Sequence, residues 1–274
     1  MNPLVSVVIT TKNEEKNIEN CLKSILEQSY KNIEVIVVDN NSSDKTKEIA
    51  LRYTNKVYDK GPERSAQRNY GMIDKSNGEY VMFVDADMIL SSGLIKSCIE
   101  FIDEQKCLAL HISEIVMGKS FWSKVRRFER SFYDGTVIDG ARFFRKDIFV
   151  KVGGFDETMS GPEDWDIDKK IKAIGKIGLV AKNKEEVVIH HNESEFNLSK
   201  YLKKKGYYAK SFETYINKWG KDDKDIKRQF SFSYRYFGVF LEKGKWKKML
   251  ARPILTLGMY FLRGMVGFIY LVKR

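Results

Sequence analysis

Asp85 and Asp87 stand one residue apart directly after the run Tyr80-Val-Met-Phe-Val. Two carboxylates at that spacing suit a hard divalent cation that keeps oxygens of a substrate phosphate in its own shell. The five β-formers before them carry no charge, which is the pattern of a strand buried on both faces of a sheet. In an open α/β sheet, ligands bind outside the carboxyl ends of the strands, so the two acids fall where a site is expected. Aspartate also favours turns, and D-x-D alone is a short pattern, so its company has to decide. That company is a second acidic group, Glu163-Asp164-Trp165-Asp166 after Gly161-Pro162, and the histidines His190 and His191.

The elements that must hold these groups alternate. Val5-Ser-Val-Val-Ile-Thr10 reads as a strand, and Ile18, Cys21, Leu22, Ile25 and Leu26 follow at helical spacing on one apolar face. Ile33 to Val38 is a second strand ending in Asp39, and Ser43 or Ser42 can cap the helix after it. A short strand near Val57, a helix through 63–76 and the strand at 80–84 complete a β-α-β-α-β-α-β run. Such alternation predicts an α/β fold, a mainly parallel twisted sheet with helices on both faces. Asp39 then shares a sheet edge with Asp85 and Asp87. Neither G-x-G-x-x-G nor G-x-x-x-x-G-K-[ST] is present, which argues against a dinucleotide enzyme or a P-loop NTPase. Further on, the pattern predicts a helix over Leu94–Glu104, a strand near Leu108–Ile115 and an aromatic, basic stretch at Phe121–Tyr133. A turn at Gly153-Gly154-Phe155-Asp156 comes next, then a helix carrying Ile167, Ile171 and Ile174, and a short strand at 187–189 that delivers the histidines.

At 274 residues with 43% hydrophobic content, the chain has material for one large domain or a domain with an appendage. Cys21, Cys98 and Cys107 are odd in number with no C-x-x-C pair, as buried thiols in a reducing compartment would be. The first strand begins by Leu4 without a basic or long apolar leader, so no signal peptide is expected. Net charge is +11, but residues 196–274 alone hold 19 Lys+Arg against 5 Asp+Glu, or +14, leaving −3 for the rest. A basic carboxyl-terminal part beside a near-neutral body points to an anionic surface as partner. Pro253 to Val272 is long enough to cross a bilayer, but Arg263 near its middle costs about 2.5–3.5 kcal/mol on insertion scales. The flanking cations Lys247, Lys248, Arg252, Lys273 and Arg274 suit an interfacial, monotopic segment. The expected organisation is a catalytic domain at 1–195, a basic helical extension at 196–248 and an amphipathic membrane-associated segment at 249–274.

Together these residues resemble the family 2 glycosyltransferases, which have the nucleotide-sugar-binding fold called GT-A. The matching pieces are Val-Val-Ile-Thr-Thr-Lys-Asn-Glu-Glu15, Val-Val-Asp39-Asn-Asn-Ser-Ser-Asp44, Arg68-Asn69-Tyr-Gly71, Asp85-Ala-Asp87, Gly154-Phe-Asp156, Glu163-Asp164 and the histidine after Ile189. Their order and spacing, from Val5 to about Tyr215, carry the match, and the carboxyl-terminal part looks like members that build lipid-linked or surface glycans. The resemblance implies that Thr11, Asn13, Glu14, Asp39, Arg68, Asn69 and Asp85 contact the nucleotide, with Asp39 at the base or ribose and Arg68 and Asn69 near the ribose and diphosphate. It implies that Asp87 holds Mg2+ or Mn2+, with His191, placed there by Glu193 and 198–208, or else His190, as a further contact. Either histidine can equally be a satisfied strand-end residue.

Asp164 is the expected general base, with Glu163 beside it. A carboxylate takes a hydroxyl proton best when burial lifts its pKa, and Glu163 and Asp166 crowd it. The same acids suit the positive end of a helix dipole. Trp165 and Arg142 are placed at the acceptor, Trp165 as a platform for a sugar ring. The implied reaction is inverting single displacement from a nucleoside diphosphate sugar, UDP favoured, to a hydroxyl of a lipid-linked or cell-surface glycan acceptor at the cytoplasmic face of the membrane. The alternative is a polyprenyl-phosphate glycosyltransferase, whose ionised acceptor needs no base. The Lys203–Lys205 cluster with Tyr207 and Tyr208 meets a lipid headgroup or an acceptor pyrophosphate, or equally is a solvated basic helix face. A nucleic-acid partner would suit the charge but leave Asp39, Asp85, Asp87, Glu163 and Asp164 unexplained, so none is expected.

Overall fold

The computed structural model describes residues 2–180, 187–192 and 196–272. Glu193, Lys273 and Arg274 lie outside the described residues. The chain forms two compact units, one of Met1–Glu114, Gly140–Glu157 and Glu163–Asn192, the other of Ile115–Asp139, Thr158–Pro162 and Glu193–Arg274. This differs from a simple division along the chain, because 115–139 and 158–162 group with the carboxyl-terminal third.

The first unit is built on the strands β1 (Val5–Thr11), β2 (Ile33–Asp39), β3 (Val57–Asp59), β4 (Tyr80–Asp85), β5 (Met88–Leu90), β6 (Ala109–Ile112), β8 (Ala141–Arg145), β9 (Ile177–Val180) and β10 (Ile189–His191), with β7 (Glu114–Val116) starting at the last residue of its first segment. Its helices are α1 (Ile18–Leu26), α2 (Thr46–Leu51), α3 (Arg64–Asn69), α4 (Leu94–Glu104), α6 (Lys146–Lys151) and α7 (Glu163–Lys172), while α5 (Phe121–Arg130) belongs to the second unit. The main sheet runs β3-β2-β1-β4-β8-β6-β9. The first four strands are parallel, as alternation predicts. β8 is antiparallel to both β4 and β6. The chain leaves this unit at 114 and returns at 140, so β8 enters the sheet without the crossover helix that a parallel neighbour needs.

Val5, Val7 and Ile9 pack with Ile18, Leu22 and Ile25 of α1 and with Leu94, Ile95 and Cys98 of α4. Val8, Ile36, Val38 and Phe83 face the other way, onto Met72, Phe149, Ile167 and Ile171. Burial on both faces explains why β1, β2 and β4 read as unbroken apolar runs. The three cysteines are free and buried. α3 continues to Lys75 as a π-helix, so the helical stretch expected at 63–76 carries wider turns than an α-helix. Gln67 ties α3 to the sheet by donating to the carbonyls of Thr11 (3.1 Å) and Val38 (2.7 Å).

The second unit adds α8 (Leu198–Tyr208), α9 (Phe212–Trp219), α10 (Lys224–Phe230), α11 (Val239–Leu241), α12 (Trp246–Ala251) and α13 (Pro253–Val272). α13 packs on α5 and α8. Phe132 meets Phe128 and Phe240 edge-on, at 5.0 and 4.9 Å. Beside these rings lies a buried polar knot. Glu129 pairs with Arg126, stands 3.3 Å from Arg263 Nε and accepts from the Tyr133 hydroxyl at 2.5 Å. Arg263 also donates to the Tyr133 hydroxyl and to the carbonyl of Arg235. The arginine in the middle of the long apolar segment is therefore an inward-facing core residue, 7% exposed. Among the described residues, no helix is long and apolar enough to cross a membrane. The lysine cluster is split as well: Lys203 and Lys204 are exposed, whereas Lys205 is half-buried, and burial followed by the charge of Arg126 pushes it down to about 7.

Burial works to raise the Glu129 carboxyl, but Arg126, Arg263 and the Tyr133 hydroxyl outweigh it and hold the group at about 2. A depressed carboxyl adds stability that is fully present above its unfolded pKa and lost as pH falls through the folded value. Glu129→Gln, which leaves two buried guanidinium groups without their carboxylate, is expected to cost about 3–5 kcal/mol at pH 7. Urea denaturation at pH 7 and pH 3 checks this, with the gap from the parent chain narrowing at the lower pH.

Candidate active site

Strand register sets the site. Thr11 lies opposite Asp39, and Thr10 opposite Asp85, so the ends of β1, β2 and β4 form one edge. Asp39 is fully buried, and its carboxylate accepts from the Ser42 amide (2.6 Å) and hydroxyl (2.5 Å). Asn13, at φ 55°, donates its amide to Ser42 Oγ (2.8 Å) and accepts from the Ser43 amide (2.9 Å). The loops after β1 and β2 are thereby stitched into one wall. Glu14 stands on that wall; burial raises its carboxyl, Asn17 opposes this, and the charges of Asp87, Asp44 and Asp85 add to the rise. Thr11 is 3% exposed, and its hydroxyl has no hydrogen-bond partner among the described residues.

Arg68 is the hub. It is 1% exposed, with its guanidinium 3.9 Å above the Phe83 ring. From there Nη2 reaches Asp85 at 3.4 Å, while Nη1 reaches Asp164 at 3.1 Å and Glu163 at 3.5 Å. Arg64 meets the same Glu163 oxygen at 3.1 Å. One cation thus binds the end of β4 to the start of α7, bringing together acids 79 residues apart in the chain. Burial raises the Asp85 carboxyl, but Arg68, Arg142 and Arg64 overcome it and hold Asp85 well below the usual carboxylate range. Asp164 goes the opposite way. Burial and the charge of Glu163 outweigh Arg68 and push it up to about 6. Gly140 permits this placement, since a Cβ there would lie 2.6 Å from Asp164 Cβ.

Asp87 and His191 meet across the β5–β10 pairing, where Met88 lies opposite His191, with Nε2 of the histidine 3.2 Å from Asp87 Oδ2. Of the two candidate histidines, His191 is therefore the one at the acidic edge. Its neighbour His190 alternates to the other face of the strand. Glu114, absent from the sequence-based set, completes this corner. It accepts from Arg142 Nε at 2.6 Å and lies 4.0 Å from His191 Nδ1. Arg142 lies 4.9 Å from the centre of the Phe83 ring and feels the charges of Asp85 and Asp164.

Two expected members are placed differently. The Asn69 amide is engaged by Phe155, donating to its carbonyl (2.9 Å) and accepting from its amide (2.9 Å), with a further bond to Glu157. Following Arg68 by one helical step of about 100°, it clamps the glycine turn. Gly154, at φ +61°, lies so close that a Cβ would meet Asn69 Oδ1 at 2.5 Å. Asp166, expected to crowd Asp164, pairs with Lys170 at 3.0 Å. Trp165 is half-buried on α7 next to Asp164.

The residues fit a divalent cation in a limited way. Asp87 Oδ1 is buried with no hydrogen-bond partner among the described residues, and His191 is adjacent. Those residues hold no group of three or more His, Cys, Asp or Glu arranged for a metal. One or two protein ligands, with the remaining positions left to phosphate oxygens and water, is how Mg2+ is usually bound at diphosphates.

Residues 6–155, more than half of the chain, match the model of glycosyl transferase family 2. The chain belongs to that family. It is 32% identical over 207 residues to the glycosyltransferase GlyG of Streptococcus pneumoniae serotype 4, covering 72% of this chain and 63% of that protein. It is 26% identical over 223 residues to the GalNAc(5)-diNAcBac-PP-undecaprenol beta-1,3-glucosyltransferase of Campylobacter jejuni, covering 78% of this chain and 64% of that one. The match thus spans somewhat under two thirds of these relatives' length. Among solved structures, the mannosyltransferase PcManGT from Pyrobaculum calidifontis, in complex with GDP-Man and Mn2+, aligns over 100% of this chain and 86% of its own at TM-score 0.65 and 19% identity. S. aureus TarS 1-349 in complex with UDP-GlcNAc aligns over 91% of this chain and 76% of its own at TM-score 0.58 and 20% identity. These neighbours establish the GT-A fold for the family 2 chain.

A carboxyl whose folded pKa is raised makes folding less favourable once it ionises. Its stabilising protonated form is fully present below the ordinary value, 3.8, and lost as pH rises through about 6. Asp164→Asn, neutral throughout, is expected to be more thermostable than the parent chain at pH 8, with the difference fading toward pH 4. Thermal melts across that range read the effect directly.

Proposed function

We propose that this protein is an inverting glycosyltransferase that moves a sugar from a nucleoside diphosphate sugar, UDP favoured, to a hydroxyl of a lipid-linked or cell-surface glycan acceptor. The observation that carries this is the single edge where Asp39, Asp85 and the Asp87–His191 pair stand beside Asp164, whose carboxyl is pushed up to about 6. Asp39, Thr11, Asn13 and Glu14 form the wall for the base and ribose. Asp85, ionised and held by Arg68, takes the ribose side of the diphosphate, and Arg68 keeps the diphosphate's reacting end near α7. Asp87 and His191 are the residues to hold Mg2+ or Mn2+. That ion supplies Lewis-acid neutralisation of the leaving diphosphate.

Asp164 takes the proton of the acceptor hydroxyl as the new bond forms at the anomeric carbon and the bond to the diphosphate breaks on its opposite face. A carboxyl near 6 is ionised at neutral pH and still basic enough to accept a proton. Glu163, held between Arg64 and Arg68, supplies the like charge that helps lift it. Arg142 and Trp165 border the acceptor side. A lipid phosphate acceptor is already ionised and needs no base, so the raised Asp164 favours a hydroxyl. The relatives include a protein named for an undecaprenol-linked acceptor, which supports a lipid-linked acceptor; the reaction would then take place at the cytoplasmic face of the membrane.

Titration calorimetry of UDP and GDP with and without Mn2+ is expected to show metal-dependent binding of one nucleotide, lost in Asp87→Ala. Absence of binding of either nucleotide under both conditions overturns the reading. With an active acceptor, kcat is expected to rise through about pH 6 and to fall by about 10²–10⁴-fold in Asp164→Asn.

A further inference from the structure

Helix α13 has two apolar faces, one packed within its unit and one largely exposed, where Phe261, one of the stripe residues named below, meets the ring of Trp122 at 5.6 Å. Gly258, Met259, Leu262 and Arg263 are buried. Ile254, Leu257, Phe261 and Phe268 are 70%, 73%, 51% and 63% exposed. Steps of three, four and seven residues keep those four on one stripe, about 21 Å long at the helical rise. A surface helix of a globular protein presents polar and charged residues on this side. Here the stripe has none. Leu250 of the preceding helix α12 is 72% exposed.

The charge around the stripe is equally one-sided. Residues 243–274 hold eight Lys+Arg and no Asp or Glu. Of these cations, Arg263 is internal, while Lys247, Lys248 and Arg252, just before the stripe, are exposed. A largely exposed apolar stripe of this length calls for a cover. A second copy of the chain would bring the same basic region against itself. An anionic lipid surface would neutralise it, at about 1 kcal/mol per Lys or Arg near the surface.

We propose that the outward stripe of α13 lies in the headgroup region of an anionic bilayer, with the exposed cations of α12 and Arg252 on lipid phosphates. The inward arginine fixes which face is packed and which is offered to lipid. The unit thus rests on the membrane without crossing it. This extends the proposed lipid-linked acceptor to the surface that carries it, and it is tested by a binding readout that needs no sugar transfer.

The experiment is flotation of the full chain with phosphatidylcholine vesicles and with vesicles containing phosphatidylglycerol, beside Ile254→Ser/Leu257→Ser and Lys247→Glu/Arg252→Glu double variants. The parent chain is expected to float with the anionic vesicles and less with the neutral ones, more weakly as salt is raised. The serine pair is expected to bind both at least tenfold more weakly, and the charge pair to lose only the preference for anionic lipid. Circular dichroism melts of the variants, whose replaced side chains are solvent-exposed, are expected to match the parent. Parent-like flotation of the serine pair overturns the proposal. So does a lipid-free dimer, seen by light scattering, that the serine pair disperses. UDP or GDP binding by the variants separates a failed membrane surface from a failed transferase reading.

Discussion

The site depends on one buried cation. Arg68 lies against Phe83, almost wholly removed from water, and its two Nη groups serve acids from different elements. A buried guanidinium is tolerable only when its charge is matched nearby. Asp85, Asp164 and Glu163 supply that match, and in doing so they fix where β4 ends and where α7 begins. The same cation splits the acids chemically: Asp85 is kept ionised, while Asp164, more dominated by burial and by Glu163, stays basic. In the proposed function, two carboxylates held by one guanidinium thus take different tasks from their surroundings.

Around this hub the balance is acidic. Glu14, Asp39, Asp85, Asp87, Glu114, Glu163 and Asp164 face three guanidinium groups, those of Arg64, Arg68 and Arg142. Such an edge repels a diphosphate unless a further cation enters. The buried oxygen of Asp87 beside His191, without a hydrogen-bond partner among the described residues, is the natural place for it. The metal proposal therefore rests on an electrostatic need as well as on a D-x-D pattern.

Much of this edge was legible in the sequence because it depends on local rules. Apolar runs mark β1, β2 and β4, and the latter two each end in an acid, so Asp39 and Asp85 fall into register without knowledge of tertiary contacts. Glu163 and Asp164 were visible as a helix start. Glu114 was not, because its partner Arg142 is 28 residues away across an excursion through the second unit, and neither residue sits in a recognisable pattern. Asn69 shows how much a shared motif leaves open. Adjacent helix residues point about 100° apart, so sharing a motif with Arg68 does not mean sharing a direction. Arg263 carried the opposite trap, since a charge within an apolar segment signals a cost in lipid only until its partner, Glu129, is found 134 residues earlier in the chain.

The central claim, that this edge holds a metal-bound nucleoside diphosphate, is tested most directly by diffraction at the manganese absorption edge from crystals of the full chain grown with Mn2+ and UDP or GDP. The account predicts one anomalous peak coordinated by Asp87 and His191, with diphosphate oxygens completing its shell and the base against Asp39. A nucleotide bound at this edge with no peak there, or a peak coordinated by other residues, would contradict it.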